Sequence, residues 1–337
     1  MKLVNIHGPD DVRVDTVPEP SAGPNDVIVK VSACGVCGSD LTFIKLGGTG
    51  VPGVGASPMP LGHEAAGVVT EVGRHVKGFT QGMRVIVNPM ATPHVIGNGG
   101  TEGAFTDYLL VRDAVLNEGL WEVPEGMPLH IAALTEPLGV ARHGVNRANP
   151  QPDSKCVVFG VGPIGLGAVL WLKRRGVKSI VAVDVSEHRL RAAERLGATQ
   201  TLVVGRQNLF ETLGQLHGAG SSVMGPAVGT DIFFDFAGSP QVVADAIDMA
   251  KQGAKLLMVA IHPLPETIDF TKVVVKELSI LGSCGYPHEY PEVIADLRGL
   301  GAEAEALISH RFEFDRFHEA LATARSSSST KVMIEFS

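Results

Sequence analysis

Apolar positions change their pattern near residue 150 of the chain. Before that point, short apolar runs are separated by glycine and proline, which predicts strands at residues 27–31, 66–72, 84–87 and 105–111. Several short strands at close spacing favour a barrel-like fold. We therefore predict that the first part of the chain is an all-β unit.

Beyond residue 150, apolar strands alternate with helices, and the strands lack polar alternation. This is typical of strands covered on both faces, and the order predicts a doubly wound parallel sheet. The predicted strands are 156–159, 179–184, 201–204, 231–235 and 255–259. After about residue 274 the pattern is mixed. There we predict strand candidates near 273–281, helices at 291–299 and 317–325, and a closing strand at 331–336.

A glycine-rich turn joins the first strand of this second part to the following helix. Gly160, Gly162 and Gly165 fit the pattern GxGxxG, and Asp184 ends the next strand, nineteen residues after Gly165. In such a turn the first glycine allows the tight bend, the second lets the backbone approach a pyrophosphate, and the third lets helix and strand pack closely. The helix N-terminus offers free N–H groups to phosphates. The context therefore predicts a dinucleotide site.

Asp184 favours NAD over NADP as the dinucleotide. Its carboxylate is placed to accept hydrogen bonds from the adenosine ribose hydroxyls. A 2′-phosphate about 4 Å away would be repelled by roughly 4 kcal/mol at an effective dielectric constant near 20. Arg189 lies nearby in the sequence and is expected to soften this preference.

Composition and charge exclude several classes of function. Hydrophobic residues make up 45% of the chain and charged residues 19%, which allows large buried cores. The formal net charge is −8 and no long basic run is present, so nucleic-acid binding is not expected. Residues 156–172 are almost wholly apolar, but the run holds glycines and a proline and is shorter than the about 20 residues that span a membrane. With four cysteines and no apolar signal core at the N-terminus, we expect a reduced, cytoplasmic protein.

Three further segments carry side chains that bind metals: Cys37, His63 with Glu64, and Glu136. Thiolate, imidazole and carboxylate groups are zinc ligands, and a catalytic zinc keeps one position open for substrate. Each also has a structural interpretation, with Cys37 as a small core residue, His63 as a hydrogen-bonded core histidine and Glu136 as a helix cap. Cys34 precedes Cys37 at zinc-like spacing, but no second CxxC follows.

In this order, these segments and the glycine turn resemble the zinc-containing medium-chain dehydrogenases, particularly the sorbitol and 2,3-butanediol dehydrogenase branch. The resemblance covers nearly the whole chain and is most specific at residues 62–67 and 158–165. It implies an α/β protein with a GroES-like, partly open β-barrel catalytic domain at 1–147 and 280–337. The NAD-binding Rossmann domain, a doubly wound parallel sheet, takes residues 148–279. The active site is expected in the cleft between the two domains.

The resemblance also assigns roles to individual residues. Cys37 and His63 are expected to bind one catalytic zinc, with Glu64 or Glu136 as the third ligand and the fourth position open to water or the substrate oxygen. Ser39 is expected to accept the substrate proton. Residues 282–286 resemble the segment that closes over the nicotinamide. The residues implied in NAD binding are Gly160, Gly162, Pro163, Ile164, Gly165, Asp184, Arg189, Val259, Ala260, Ser283 and Cys284.

The sequence departs from the family pattern at three places. Residues 88–108 hold no cysteine and are shorter than the lobe in which relatives bind a structural zinc, so we expect no structural zinc. Thr42 stands where many relatives have a histidine that relays the proton, so we expect a relay through Ser39, the nicotinamide ribose and Thr42 or water. Gly285 stands where the sorbitol-type pattern has arginine, which favours short diols or other secondary alcohols over long polyols.

The function predicted in this way is a zinc-dependent oxidoreductase that transfers a hydride between a secondary alcohol, either a polyol or a vicinal diol, and NAD. The expected partners are the small alcohol or ketone and further copies of the chain, as a homodimer or homotetramer, with no nucleic acid or membrane partner. Two alternatives are a zinc-free quinone or enoyl reductase of the same superfamily and a catalytically silent NAD(H)-binding protein. The combination of Cys37, His63 and Glu136 argues against the first, and retention of Ser39 beside that set argues against the second.

Three residues that could be mistaken for ligands are left out of the predicted site. His143 lies seven residues after Glu136, but no family motif includes it, and we expect it to pack or hydrogen-bond. His94 is expected in a loop, and Cys34 is expected to be a buried small residue.

Overall fold

The computed structural model describes residues 1–55, 57–91, 94–262, 265–286 and 288–337. The chain forms two compact units, the first of Met1–Glu136 with Pro291–Ser337 and the second of Pro137–Tyr290. These divisions lie about ten residues from the domain boundaries predicted at 147/148 and 279/280. From Pro137 onward, the helix that begins at Thr135 belongs to the second unit, where the indole N–H of Trp171 donates to the carbonyl of Leu138 at 2.9 Å.

Strands and helices are numbered in chain order. The strands are β1 Lys2–Gly8, β2 Asp11–Thr16, β3 Val27–Val36, β4 Met59–Pro60, β5 Glu64–Val72, β6 Arg84–Val87, β7 Tyr108–Val111, β8 Leu120–Glu122, β9 Lys155–Phe159, β10 Ser179–Asp184, β11 Gln200–Val203, β12 Ala219–Gly220, β13 Ala227–Val228, β14 Ile232–Asp235, β15 Lys255–Met258, β16 Ser279–Gly282, β17 Ile308–Glu313 and β18 Lys331–Glu335. The helices are α1 Gly38–Leu46, α2 Leu129–Ala132, α3 Thr135–Ala148, α4 Pro163–Arg174, α5 Glu187–Leu196, α6 Leu209–His217, α7 Pro240–Met249, α8 Phe270–Val275, α9 Tyr290–Leu297, α10 Ala302–Glu305 and α11 Phe317–Ala324, with a 3₁₀ turn at Phe314–Arg316.

The first unit is built on β-strands, as predicted. One sheet has the strand order β17-β18-β3-β5-β6-β8, with β7 also paired to β3, and a smaller sheet has the order β2-β1-β4. Neighbours in the larger sheet are antiparallel except β17 and β18. The fully buried rings of Phe105 and Phe317 meet edge to face at 5.1 Å in its core. The sequence did not predict β1 and β2, because polar residues such as Asn5 and His7 interrupt their short apolar pattern.

The second unit contains a parallel sheet with the order β11-β10-β9-β14-β15-β16. When only the six strands of this sheet are numbered, in chain order, the order is 3-2-1-4-5-6, which is the arrangement of a doubly wound dinucleotide fold and confirms the predicted fold class. The strand candidates near 273–281 were wrong in their first part, because α8 occupies Phe270–Val275 and only Ser279–Gly282 forms a strand. The side chain of Asp269 caps α8 by accepting hydrogen bonds from the N–H groups of Thr271 and Lys272.

The apolar run at 156–172 is divided between β9 and α4 by the glycine turn. Among the helices of the described residues, none is long and apolar enough to cross a membrane.

Candidate metal centre and dinucleotide site

Three of the predicted metal ligands converge in the first unit. Cys37 follows β3 and precedes α1, and His63 directly precedes Glu64, the first residue of β5. Because β3 and β5 pair antiparallel with Gly35 opposite Glu64, the ends of both strands meet at one place. One ligand atom from each of Cys37, His63 and Glu64 lies within 4.8 Å of the other two. Sulfur, nitrogen and oxygen donors in such a cluster suit zinc.

The charge around these donors favours a cation. Burial alone lowers the pKa of His63, but the negative charges of Asp40 and Cys37 outweigh it and raise the pKa well above 6.5. Asp40 Oδ1 lies 3.5 Å from His63 Nδ1, and Asp40 Oδ2 accepts the backbone N–H of Cys37 at 2.9 Å. By strict hydrogen-bond geometry, the facing atoms Asp40 Oδ1 and His63 Nδ1 are unsatisfied. A divalent ion bound to His63 and Cys37 would meet this demand for positive charge.

Asp40 was not identified from the sequence. It lies three residues after Cys37, in the first turn of α1, where an acidic side chain reaches back to the residue that precedes the helix. A carboxylate that orients a ligating histidine is a recurring support for zinc sites. The Cys37-x-x-Asp40 spacing was therefore the signal that the sequence offered.

A buried lysine holds the third candidate ligand. Lys331 Nζ lies 2.6 and 2.5 Å from the two carboxylate oxygens of Glu64 and donates to the carbonyl of Val36 at 3.0 Å. Lys331 is 1% exposed and Glu64 is fully buried. Burial lowers the pKa of Lys331, but the charges of Glu64 and Cys37 outweigh it, and the pKa is raised. Sequence analysis missed Lys331, which stands at the start of a strand whose next three residues are apolar.

Gly35 leaves room for the Glu64 carboxylate. A Cβ atom at position 35 would lie 2.0 Å from Glu64 Oε2, and it would also approach the Glu64 Cβ at 3.3 Å. The absence of a side chain at this position therefore lets the carboxylate reach both Lys331 and the ligand cluster. Neither the His63–Glu64 pair nor the Cys34–Cys37 spacing pointed to this glycine.

Glu136, the other candidate for the third ligand, lies in the first turn of α3 and is buried. It does not belong to the cluster formed by Cys37, His63 and Glu64 among the described residues. Its negative charge nevertheless contributes to the raised pKa of Lys331, so it lies within electrostatic reach of the same ammonium group.

The two residues predicted to move the substrate proton lie on α1. Ser39 is half-buried, two residues after Cys37. Thr42 is exposed, and its hydroxyl donates to the carbonyl of Gly38 at 3.1 Å. Because that hydrogen bond uses the hydroxyl proton, Thr42 offers its oxygen lone pairs to water in this conformation.

The glycine turn of the second unit has the geometry that its sequence predicts. Gly160 has a φ of 80°, and a Cβ there would lie 2.7 Å from the backbone nitrogen of Ala237. A Cβ at Gly165 would lie 2.0 Å from the carbonyl oxygen of Gly160. A Cβ at Gly162 would meet nothing within 4 Å, so this backbone is open to a ligand at the start of α4. The three glycines therefore supply a bend, an open approach and a close packing contact.

Asp184 ends β10 beside this turn. Its Oδ2 accepts the N–H of Val161 and its Oδ1 accepts the N–H of Ser186, both at 2.8 Å. The carboxylate is thus fixed in orientation while each oxygen keeps a second lone pair for a ribose hydroxyl.

The other residues predicted to bind the dinucleotide are placed at the ends of strands or starts of helices of the second unit. Val259 and Ala260 follow β15, and their N–H groups donate to the carbonyl of Asp235 at 3.0 and 3.1 Å. Ser283 and Cys284 follow β16, and Cys284 is an exposed free cysteine. The remaining positions lie in the first turns of α4 and α5, namely Pro163, Ile164 and Arg189.

The three residues left out of the predicted site have other surroundings. His143 Nδ1 lies 2.8 Å from Glu289 Oε1 in the second unit. His94 is exposed and faces Asp113 at 3.3 Å. Cys34 is fully buried in β3.

The segment 88–108 contains no cysteine, and residues 92 and 93 lie outside its described part. The N–H of Gly97 donates to the carbonyl of Glu102 at 2.7 Å. The N–H of Ala104 donates to the carbonyl of Gly62 at 2.8 Å, next to His63. The hydrogen bond from Ala104 therefore ties this segment to Gly62, the residue before His63.

Comparisons with known proteins identify the family to which the chain belongs. Residues 23–124 match the family model of the alcohol dehydrogenase GroES-like domain, and residues 163–298 match that of the zinc-binding dehydrogenases. The sorbitol dehydrogenase of Rattus norvegicus is 30% identical over 344 residues, which cover 98% of this chain and 94% of that protein.

Solved structures give the same result. The crystal structure of 2R,3R-butanediol dehydrogenase from Bacillus subtilis has a TM-score of 0.87 and 28% identity and covers 99% of both chains. An alcohol dehydrogenase from Escherichia coli CFT073, complexed with NADH, has a TM-score of 0.86 and 25% identity and covers 100% of this chain and 99% of the other. The chain therefore belongs to the zinc-dependent medium-chain dehydrogenases, in the branch that includes the sorbitol and butanediol dehydrogenases.

Proposed function

We propose that this enzyme oxidises a secondary alcohol, a polyol or vicinal diol, to the ketone with NAD as the hydride acceptor and one catalytic zinc. The observation that carries the proposal is the convergence of Cys37, His63 and Glu64 on one point of the first unit. When bound, zinc would act as a Lewis acid that favours loss of the alcohol proton, and NAD would accept the hydride.

The chain's own residues would hold the metal and prepare its ligands. Cys37 and His63 are the first two ligands, and Glu64 is favoured as the third because it lies in their cluster, with Glu136 as the alternative. Asp40 orients the first two through the Cys37 N–H and the His63 ring. Lys331 orients Glu64.

Ser39 would accept the hydroxyl proton of the alcohol and pass it outward. Oxidation releases one proton and one hydride from the alcohol, and the proton must reach solvent as the hydride reaches the cofactor. Thr42, exposed on the same helix, would receive it through water. Hydroxyl groups can transfer a proton in this way but do not store one near neutral pH.

NAD is favoured over NADP by the fixed carboxylate of Asp184. The glycine turn and the start of α4 would take the pyrophosphate, and Asp184 would accept hydrogen bonds from the ribose hydroxyls. The related Escherichia coli protein is complexed with NADH, which supports a nicotinamide cofactor.

The substrate class follows from the relatives and from one residue of this chain. The named relatives act on sorbitol and butanediol, both of which carry secondary hydroxyl groups on adjacent carbons. Gly285 carries no side chain that could hydrogen-bond the far hydroxyls of a long polyol. We therefore favour short vicinal diols.

We further propose a cytoplasmic homodimer or homotetramer. Among the described strands, β16 is an edge of the parallel sheet, and an edge strand offers unpaired backbone groups to a second copy. Phe270 and Val274 on the neighbouring helix are 67% and 72% exposed, which suits burial against another subunit. Sedimentation measurements would test the oligomeric state.

The first experiment is elemental analysis of the purified protein together with NAD- and NADP-dependent oxidation of 2,3-butanediol and sorbitol. We expect one zinc per chain, its loss in Cys37→Ser, and its retention in the matched variant Cys34→Ala, whose cysteine lies outside the ligand cluster. Two zinc ions per chain would contradict the interpretation of residues 88–108. No zinc after growth with added metal would favour a zinc-free reductase or a silent dinucleotide-binding protein.

A further inference from the structure

A buried carboxylate ends β14 in the second unit and organises the backbone around it. Asp235 Oδ1 accepts the N–H groups of Ala237 and Gly238 at 2.9 and 3.0 Å. Its backbone carbonyl accepts the N–H groups of Val259 and Ala260. Asp235 therefore joins the turn after β14 to the segment after β15.

His262 stands between this aspartate and a second carboxylate. Its Nε2 lies 2.7 Å from Asp235 Oδ2, and its Nδ1 lies 2.5 Å from Glu266 Oε1. Ionised carboxylates only accept hydrogen bonds, so both ring nitrogens must donate. The two contacts are thus complete only when the ring carries both protons. Among the described residues, the charged groups that face it are Asp235 from the end of β14 and Glu266 from its own segment.

The turn held by Asp235 also supports the glycine turn. The backbone nitrogen of Ala237 lies 2.7 Å from where a Cβ of Gly160 would stand. The Cβ of Phe236 lies 3.5 Å from the corresponding position at Gly165. A shift of residues 236–238 would therefore reach the backbone that is proposed to receive the pyrophosphate.

We infer that His262 is a positioning residue for the dinucleotide: bridged between Asp235 and Glu266, its doubly protonated ring fixes the segments after β14 and β15, so that cofactor affinity depends on its protonation. This inference rests on the proposed NAD-binding function. His262 acts through Asp235, through Val259 and Ala260, and through the glycine turn.

The direction of the pH dependence follows from the ring's surroundings. Burial lowers the pKa of His262, but the hydrogen bonds and charges of Glu266 and Asp235 outweigh it and raise the pKa. When the pH rises through that raised pKa, one carboxylate loses its donor and the two negative charges face each other across a neutral ring. The bridge from Asp235 through His262 to Glu266 is then weakened, and the dinucleotide binds less tightly at high pH.

The test is the dissociation constant of NADH, measured by fluorescence between pH 6 and pH 9.5 on the full-length protein. We expect wild-type affinity to fall by about tenfold across a single transition, the loss of one charge-assisted hydrogen bond. His262→Gln should show the weaker affinity already at pH 6 and no such transition. The surface variant His318→Gln is the matched control and should follow wild type.

A second variant tests whether His262 acts through its charge or only through its packing. Glu266→Gln removes one of the two carboxylates, so the ring loses its second proton more readily and the transition should move to lower pH without disappearing. Thermal unfolding of each variant checks that the second unit is folded. A wild-type affinity independent of pH, or a transition that persists in His262→Gln, would overturn the inference while leaving the proposed function intact. If wild type binds neither NADH nor NADPH, the proposed cofactor is wrong and the inference falls with it.

Discussion

Replacing Lys331 with methionine would test whether a buried ammonium balances the charge of Glu64. Methionine has a similar length and no charge, so the change removes mainly the ion pair. Lys331 Nζ is the group that contacts both oxygens of the Glu64 carboxylate, and both side chains are buried. After the substitution, that carboxylate would face a metal-binding site with no ammonium beside it.

The expected loss of unfolding free energy in Lys331→Met can be estimated from the distance between the two charges. At the observed separation of 2.6 Å, two unit charges attract by about 6 kcal/mol at an effective dielectric constant near 20. The cost of removing both groups from water offsets much of this, and breaking a buried pair by deleting one partner typically costs about 3–5 kcal/mol. We therefore expect the metal-free Lys331→Met protein to lose about 3–5 kcal/mol of unfolding free energy in its first unit. Zinc binding should restore part of this unfolding free energy, because the charge of the ion replaces that of the ammonium group.

Urea unfolding of metal-free and zinc-loaded protein measures both effects. Trp121 and Trp171 are the two tryptophans, one in each unit, so a Trp171→Phe background lets Trp121 report the first unit alone. Lys276→Met is a matched control, because this buried lysine donates to the carbonyls of Ile247 and Asp248 in the second unit. Unfolding of the Lys276→Met protein is observed through Trp171 in a Trp121→Phe background. This variant should lose unfolding free energy that zinc does not restore.

Two outcomes would refute the reasoning. The first is a metal-free Lys331→Met protein as stable as wild type. The second is a zinc-induced gain in stability no larger in the variant than in wild type. The double variant Lys331→Met/Glu64→Gln should recover part of the loss, because it leaves no unpaired charge, and non-additivity of the single changes would measure the coupling.

Two further predictions concern a buried histidine and a tight glycine. Burial and the charge of Lys155 lower the pKa of His217 to about 4. The stability that the neutral ring contributes is therefore complete above the unfolded-state pKa of about 6.5 and is lost as the pH falls towards 4. The loss of unfolding free energy reaches up to about 2 kcal/mol at pH 5. His217→Gln should flatten this part of the acid dependence, measured by urea unfolding of the second unit at pH 7 and pH 5, and an unchanged pH dependence would contradict it. Gly35→Ala should displace Glu64 and lower zinc content and melting temperature, whereas Gly38→Ala, where a Cβ meets nothing within 4 Å, should change neither; equal zinc content in both would show that the carboxylate tolerates the added methyl group.

The sequence was sufficient to predict features whose residues lie close together in the chain. The glycine turn, the strand before it and Asp184 lie within thirty residues of one another, and the apolar runs identify nearly all strands of the parallel sheet. The candidate metal ligands Cys37 and His63 were found because each stands in a short motif of its own. Strands β1 and β2 and the helix α8 were missed, because their patterns are short and their ends are set by packing and by the Asp269 cap.

The supporting residues could not be found in this way, because their partners are distant in sequence. Lys331 and Glu64 are separated by 267 residues, and nothing in the apolar pattern of β18 shows that its first side chain is a buried cation. Their pairing depends on the register by which β18 lies beside β3 and β3 beside β5. The same holds for His262 and Asp235, which come together only because β14 and β15 are neighbours in the sheet.

The two candidate sites of this chain share one physical arrangement. At each, a buried carboxylate is held by donors from the protein and keeps lone pairs for the ligand: Glu64 is held by Lys331, and Asp184 by the N–H groups of Val161 and Ser186. Holding the carboxylate in advance means that less side-chain freedom is lost when the ligand binds, which favours affinity and fixed geometry. The donors also satisfy part of the carboxylate's demand for hydrogen bonds, so the site remains stable when the ligand leaves. A change at Lys331, which contacts Glu64 and is not itself a predicted metal ligand, should therefore alter zinc binding. Stability measurements with and without zinc would separate its effect on folding from its effect on zinc affinity.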